Sequence, residues 1–268
     1  VDWSDFTSAV RQVASDLDNL GNSGGSALGG VAHRIVHGGI RFTEPVLLTD
    51  VIEASLGELI PLAPLHNSFG LEVIATARKS FPDLPHVAIF DTAFHATLTP
   101  DAYTYPVPYE WSENWGIRRF GFHGLSHEYC ASRATEMIGR QQKADLRLVI
   151  AHLGHGASVA AVLNGKSIDT TMGFTPLEGL MMATRSGSVD PGLLLHVQRE
   201  HGISTEELDC ILNHESGLLG VSGISGDMRK LEKAADSGNK RAQLAIGIYV
   251  HRLRQAIAAM AASLGGLD

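Results

Sequence analysis

The chain has 268 residues, 44% hydrophobic and 19% charged, long enough to bury a substantial core as one large or two medium domains. Its 21 Lys and Arg stand against 29 Asp and Glu, a net charge of −8 that excludes a broad electrostatic grip on nucleic acid or anionic membrane, so any phosphate must be met by a local cluster. Two cysteines, Cys130 and Cys210, exclude a disulfide framework and point to a reducing, cytoplasmic setting in which each is expected to be a buried small hydrophobe.

Trp3, Phe6, Val10, Val13, Leu17 and Leu20 recur at steps of three and four, which predicts an amphipathic helix over 1–20, broken by the loop Asn22-Ser23-Gly24-Gly25-Ser26. A strand is predicted over 31–36, cut off by Gly38-Gly39. Asp50 is the expected N-cap of a helix over 51–59, and Asn67 the expected start of another reaching 77. The apolar run His86-Val87-Ala88-Ile89-Phe90 suits a buried strand that delivers Asp91 at its C-terminal edge, where ligands gather in open α/β sheets. Tyrosines and prolines over 100–111 predict an irregular lid or hairpin. A helix over 127–138, a strand over 146–151 and a hairpin of 158–163 with 166–170 on Asn164-Gly165 follow. Helices then dominate at about 190–199, 205–212, 228–236 and 240–263, the last stopped by Gly265-Gly266. No apolar run reaches the roughly 18–20 residues of a membrane span.

Four segments could carry chemistry. His152-Leu153-Gly154-His155-Gly156-Ala157-Ser158 follows an apolar strand directly; such a glycine turn either cradles a phosphate with its N–H groups or simply enters a tight hairpin. It lacks the Gly-Lys-Ser/Thr ending of a P-loop. Asp91, in Phe90-Asp91-Thr92-Ala93-Phe94-His95, could hold a cation, take a proton or cap a helix. The run Ile117-Arg118-Arg119-Phe120-Gly121-Phe122-His123-Gly124-Leu125-Ser126-His127 is a local positive patch suited to phosphate or carboxylate. Arg185, in the glycine-rich stretch 173–192, could stabilise a transferring phosphoryl group. His33 and His37 have zinc spacing only on a helix; on a strand, positions 33, 35 and 37 share a face and Arg34 points the other way, and no cysteine or carboxylate completes a ligand set. His86, His196, His201, His214 and His251 are given no role.

At these residues the sequence resembles acetate kinases. The strings Val31-Ala32-His33-Arg34-Ile35-Val36-His37-Gly38-Gly39, Ala63-Pro64-Leu65-His66-Asn67, Phe90 through His95, Arg118 through His127, His152 through Ser158 and the segment 171–186 carry the likeness. It implies two related actin-like α/β domains with mixed sheets, over 1–94 and 95–268. It implies reversible, Mg²⁺-dependent transfer of the γ-phosphoryl of ATP to acetate, giving acetyl phosphate and ADP, in a cytoplasmic homodimer that binds neither nucleic acid nor membrane. By the same likeness Asp91, His123 and Arg185 are catalytic, and Arg34 meets the substrate carboxylate. Val36, Leu65, Phe122 and Pro176 form an apolar pocket for its methyl group. His152, Leu153, Gly154, His155 and Gly156 contact nucleotide phosphates, and Asp227, Met228 and Arg229 lie along the adenosine.

The family pattern also includes an initial strand with an Asn-Ser-Ser-Lys loop and a late nucleotide loop with a Mg²⁺-binding glutamate, which lie outside this sequence, so no metal ligand is assigned within it. His155 stands where the family carries asparagine. The competing expectations are a non-catalytic nucleotide-binding or interaction fragment and a kinase of propionate or butyrate. Because a carboxylate is already ionised at neutral pH, it needs no general base for in-line attack, which favours an electrostatic and metal-organising role for Asp91 over that of proton donor or acceptor.

Overall fold

Residues 8–9, 12–13, 15–16, 28–139 and 146–267 are described by the structure, a computed structural model; the side chains of Pro64 and Leu65 are not. The helix expected over 1–20 is described at those first six positions only, which are helical, and its remainder and the loop at 22–26 lie outside the described residues. The chain divides into two units, Val1–Ala96 and Thr97–Asp268.

In the first unit, β1 (Val31–Ile35) lies parallel to β3 (His86–Phe90), with Val31 opposite His86 and Ile35 opposite Phe90, and β2 (Val46–Leu47) pairs antiparallel on the far side of β3. A parallel pair needs a long crossover, here supplied by α1 (Asp50–Gly57) and α2 (Pro64–Ser80). Ile35, Ala88 and Phe90 from the sheet meet Leu48, Leu56, Leu59 and Ile74 in one core, and Phe42 stacks on Phe90 at 5.2 Å. Thr49, not Asp50, caps α1: its Oγ1 accepts from Ile52 N at 3.3 Å, while Asp50 occupies the first turn, where the helix dipole favours an acid. Pro64 starts α2 three residues before Asn67, because proline supplies the first-turn φ and has no N–H to waste there.

The second unit holds a meander of β4 (Arg147–Leu153), β5 (Ala157–Leu163) and β6 (Lys166–Thr170). Asn164 and Gly165 both take positive φ, 53° and 76°, as a two-residue primed turn demands. Small residues along β5, from Ala157 to Val162, are fully buried, and α10 (Lys240–Ser263) packs against that strand. The other helices are α3 (Pro100–Tyr103), α4 (Tyr109–Trp115), α5 (Gly124–Met137), α6 (Pro191–His201), α7 (Thr205–Cys210), α8 (Gly217–Ser222) and α9 (Met228–Asp236). Met181, Leu218, Leu231, Ala242 and Ala245 form the core among the last of these. Among the described residues, no helix is long and apolar enough to cross a membrane.

Two expectations need correction, and one helix was not foreseen. The segment over 100–111 is not an irregular hairpin: Pro100 opens α3 and Pro108 caps α4, so the prolines begin helices rather than break them. Helix α8, six residues of Gly217-Leu218-Leu219-Gly220-Val221-Ser222, is too short to show a helical period. Cys130 and Cys210 are both exposed, Cys130 on α5 and Cys210 at the end of α7, with Cys210 Sγ 3.8 Å from Glu215 Oε1.

Candidate active site

In the first unit an arginine and an aspartate meet. Alternation along β1 buries His33 and Ile35 and leaves Arg34 on the opposite face. Asp91 follows β3 directly, and its N–H extends the ladder by donating to Ile35 O at 3.0 Å. Arg34 therefore reaches Asp91 as a fork, with Nε donating to Oδ1 at 2.9 Å and Nη2 to Oδ2 at 2.5 Å. The Asp91 side chain is 2% exposed and that of Arg34 58%. Asp91 holds the Arg34 guanidinium above its ordinary pKa through this hydrogen bond, against the opposing effect of partial burial.

The turn after β1 is fixed from three sides. Asn67 accepts from His37 N at 3.2 Å and donates back to His37 O at 3.1 Å, and Gly38 N donates to Thr92 Oγ1 at 3.1 Å. A Cβ on Gly38 would come within 3.0 Å of the Phe90 ring, so only glycine lets this turn lie against β3. Val36 is half-buried beside this turn; the side chain of Leu65 lies outside the described residues. Asn67, expected to start a helix, instead ties the Arg34 strand end in place.

The second unit gathers His123, His152, Gly156 and Arg185. His123 sits at the N-cap of α5 in a left-handed conformation, φ 59°. Its ring stacks on His152 at 4.1 Å, and His152 Nδ1 is 2.9 Å from Ser126 Oγ. The turn from β4 to β5 places Gly156 against this stack: a Cβ there would lie 3.1 Å from His123 Nε2 and 3.4 Å from Arg185 Nη1. Gly154 N donates to Gly156 O at 3.0 Å, which closes the turn between β4 and β5 as a tight hairpin. Arg185 donates to Pro176 O at 3.3 Å and is paired with no carboxylate among the described residues. Burial alone pulls its guanidinium below the usual arginine range.

Arg118 and Arg119 do not act as a free positive patch. Arg119 Nη2 meets Glu178 Oε1 at 2.8 Å, and its Nη1 donates to Thr170 O at 2.9 Å and Met172 O at 3.1 Å. Tyr105 closes the network by donating to Glu178 Oε2 while accepting from Phe174 N at 2.9 Å. Arg118 lies over the Tyr103 ring at 3.6 Å. This lattice fixes the backbone leading into Phe122, which is buried, and on either side of the half-buried Pro176.

Beside the hairpin a cavity of about 700 Å³ is lined by Leu153, Gly154 and His155 together with Asp227, Met228 and Arg229. Ala183, Thr184 and Tyr249 also line it. Asp227 caps α9 by accepting from Arg229 N at 3.0 Å, and its carboxylate also takes the Arg229 guanidinium, which holds it below the usual carboxylate range. His152 and Gly156 lie outside this lining. Tyr249 carried no motif in sequence, and Thr184 lay within the 171–186 segment with no role of its own; tertiary packing places both there.

Residues 1–268 match the acetokinase family model over their whole length. The chain belongs to the acetokinase family. It is 54% identical over 238 residues to the acetate kinase of Microcystis aeruginosa, covering 89% of this chain and 59% of that one. It therefore spans about three fifths of the length of that curated relative. Among solved structures it resembles the acetate kinase of Porphyromonas gingivalis, with 41% identity, a TM-score of 0.88 and coverage of 98% of this chain and 67% of that one. A propionate kinase from Francisella tularensis matches with 38% identity, a TM-score of 0.92 and the same coverage. The fold is accordingly the mixed α/β, actin-like fold of these acetokinase-family kinases. The expected family membership and fold class are both borne out.

Proposed function

We propose that this chain carries the acyl-phosphate-forming chemistry of its family: reversible transfer of the γ-phosphoryl of ATP to acetate, giving acetyl phosphate and ADP. A carboxylate oxygen of acetate attacks the γ-phosphorus, the bond to the bridging oxygen breaks, and ADP leaves with that electron pair; no proton need move. The observation that carries this reading is the pairing of a half-buried Arg185, without a carboxylate partner among the described residues, with His123 Nε2 across Gly156. Two donors converging on one small surface suit the equatorial oxygens of a transferring phosphoryl group.

In this reading Arg34 meets the substrate carboxylate with the exposed part of its fork, and Asp91 holds that fork in position. Val36, Leu65, Phe122 and Pro176 are the positions that the family likeness gives to the methyl group of the substrate. The hairpin His152 to Gly156 faces nucleotide phosphates, and the cavity walls Asp227, Met228 and Arg229 receive the nucleoside. The two units stand for the two actin-like domains, and the working form is a cytoplasmic homodimer. Among the described residues no group of three acidic, histidine or cysteine side chains gathers to hold a metal, and the Asp91 carboxylate is engaged by Arg34. These residues do not by themselves make a magnesium site, in keeping with the likeness that puts the family's magnesium ligands outside this sequence, and no step is routed through the ion.

The likeness to a propionate kinase keeps chain length of the acid open, since one methylene is worth about 1–3 kcal/mol in such a pocket. The test is acyl phosphate formation by the 268-residue chain, trapped as hydroxamate, from Mg-ATP with acetate, propionate or butyrate. Turnover above an Asp91→Ala control, highest with acetate, is expected. Nucleotide binding without turnover, in the chain extended to the full length of its relatives, would favour the non-catalytic reading.

A further inference from the structure

Ser158, fully buried on β5, lies between two imidazoles: its Oγ is 2.9 Å from Nδ1 of His123 and 2.7 Å from Nε2 of His127. A hydroxyl has one hydrogen and two lone pairs. Accepting from both rings would strand that hydrogen in a buried site with no third partner among the described residues, so Ser158 donates to one ring and accepts from the other.

Two arrangements satisfy this. In the first, His127 Nε2–H donates to Ser158, whose O–H donates to His123 Nδ1, and the proton of neutral His123 sits on Nε2. In the second, His123 Nδ1–H donates to Ser158, which donates to His127 Nε2, and each ring carries its proton on Nδ1. The Nε2–H form is the more stable tautomer of an isolated neutral histidine. The first arrangement gives both rings that form, and the second denies it to both. The stack on His152 fixes the ring plane, so the tautomer decides what His123 offers at its outer edge.

We propose that Ser158 and His127 are positioning residues that hold His123 as its Nε2–H tautomer, aiming that N–H over Gly156 beside the Arg185 guanidinium. The proposed kinase reading enters only in the use made of that N–H, donation to the transferring phosphoryl group. The second arrangement would instead present a lone pair there, which repels a phosphoryl oxygen.

The test reads the tautomer directly. Long-range ¹H–¹⁵N spectra of the ¹⁵N-labelled 268-residue chain, with ring signals assigned through His123→Gln and His127→Gln, should show His123 protonated at Nε2 and unprotonated at Nδ1 at pH 7.5. Ser158→Ala should shift His123 to a tautomeric mixture, and Ser158→Thr should retain the wild-type pattern. In turnover, Ser158→Ala should lower kcat about 10- to 100-fold, the loss seen when a residue that orients an active-site group is removed, with KM values nearly unchanged. Ser158→Thr should recover most of it. A wild-type His123 protonated at Nδ1, or a Ser158→Ala spectrum with His123 unaltered, would overturn the proposal. The expected tautomer in a chain that makes no acyl phosphate would leave the positioning intact and count against the kinase reading. Turnover with an Nδ1–H His123 would do the reverse.

Discussion

Arg34 and Asp91 form a fork that is open on one side only: the carboxylate is sealed at 2% exposure while more than half of the arginine faces outward. Such a pair orients the guanidinium without consuming its outer edge. Removing one partner does not simply delete a contact, because Asp91 would be left as a buried charge with nothing to answer it. Arg34→Ala is expected to lower stability by about 2 kcal/mol, and the double variant with Asp91→Ala to be more stable than Arg34→Ala alone. Thermal melts of the three proteins decide this. In the hydroxamate assay Asp91→Ala should lose at least about 100-fold in rate.

Gly156 offers a cleaner probe of the proposed phosphoryl subsite. Gly156→Ala needs no unusual backbone, and its new methyl would stand 3.1 Å from His123 Nε2 and 3.4 Å from Arg185 Nη1. The melting temperature should barely change, while kcat/KM falls at least about tenfold, as when donors aimed at a transition state are obstructed. A fully active Gly156→Ala enzyme would mean that the two donors do not converge on the transferring group.

His86, given no role on sequence grounds, is a buried partner. His33 Nε2 lies 2.9 Å from His86 Nδ1, and His86 Nε2 donates to Phe81 O at 3.0 Å, which makes His33 the donor in the pair. Burial, with the neighbouring His86 adding to it, pushes His33 down to about 4 from 6.5. The folded protein thus keeps His33 neutral where the unfolded chain takes up a proton. Stability should fall as pH drops from 6.5 to about 4 and level off below, by on the order of 2–3 kcal/mol. Urea titrations at pH 7.5, 5.5 and 4 test this; His33→Gln should flatten that part of the profile. His86→Ala should cost about 1–2 kcal/mol of stability, leaving kcat of the folded enzyme near wild type.

The Tyr105–Glu178–Arg119 network makes a fourth expectation. Burial raises the Tyr105 hydroxyl well above the ordinary tyrosine range, and the Glu178 carboxylate reinforces the shift. A Cβ on Gly173 would collide with both Glu178 and Tyr105. Gly173→Ala is therefore expected to destabilise the second unit by more than about 2 kcal/mol, whereas Tyr105→Phe should be milder, since it leaves Arg119 on Glu178. Differential scanning calorimetry of both variants would rank them.

What could be read from the sequence was what depends on neighbours along the chain. The strand before Asp91, the Asn164-Gly165 turn and the alternation that separates Arg34 from His33 are local patterns, and each appears as expected. What could not be read depends on partners far away. Nothing near Arg119 announces that Glu178 and three carbonyls will absorb it. Nothing in Asn67 says that it will clasp the backbone of His37, thirty positions earlier. Ser158 reads as the last residue of a glycine motif until the fold brings His127 to its hydroxyl.

The two units also differ in how far apart their strand partners lie along the chain. In the second, β4, β5 and β6 pair with their immediate successors through turns of two or three residues. In the first, β1 and β3 join residues 55 positions apart, Val31 with His86, across two helices. Closing that span costs chain entropy before any ladder bond repays it, whereas the hairpins close cheaply. In refolding from denaturant, amide protection should appear over 147–170 before it appears over 31–35 and 86–90. The Arg34–Asp91 fork, which exists only once β1 and β3 are in register, is then among the last features of the first unit to assemble.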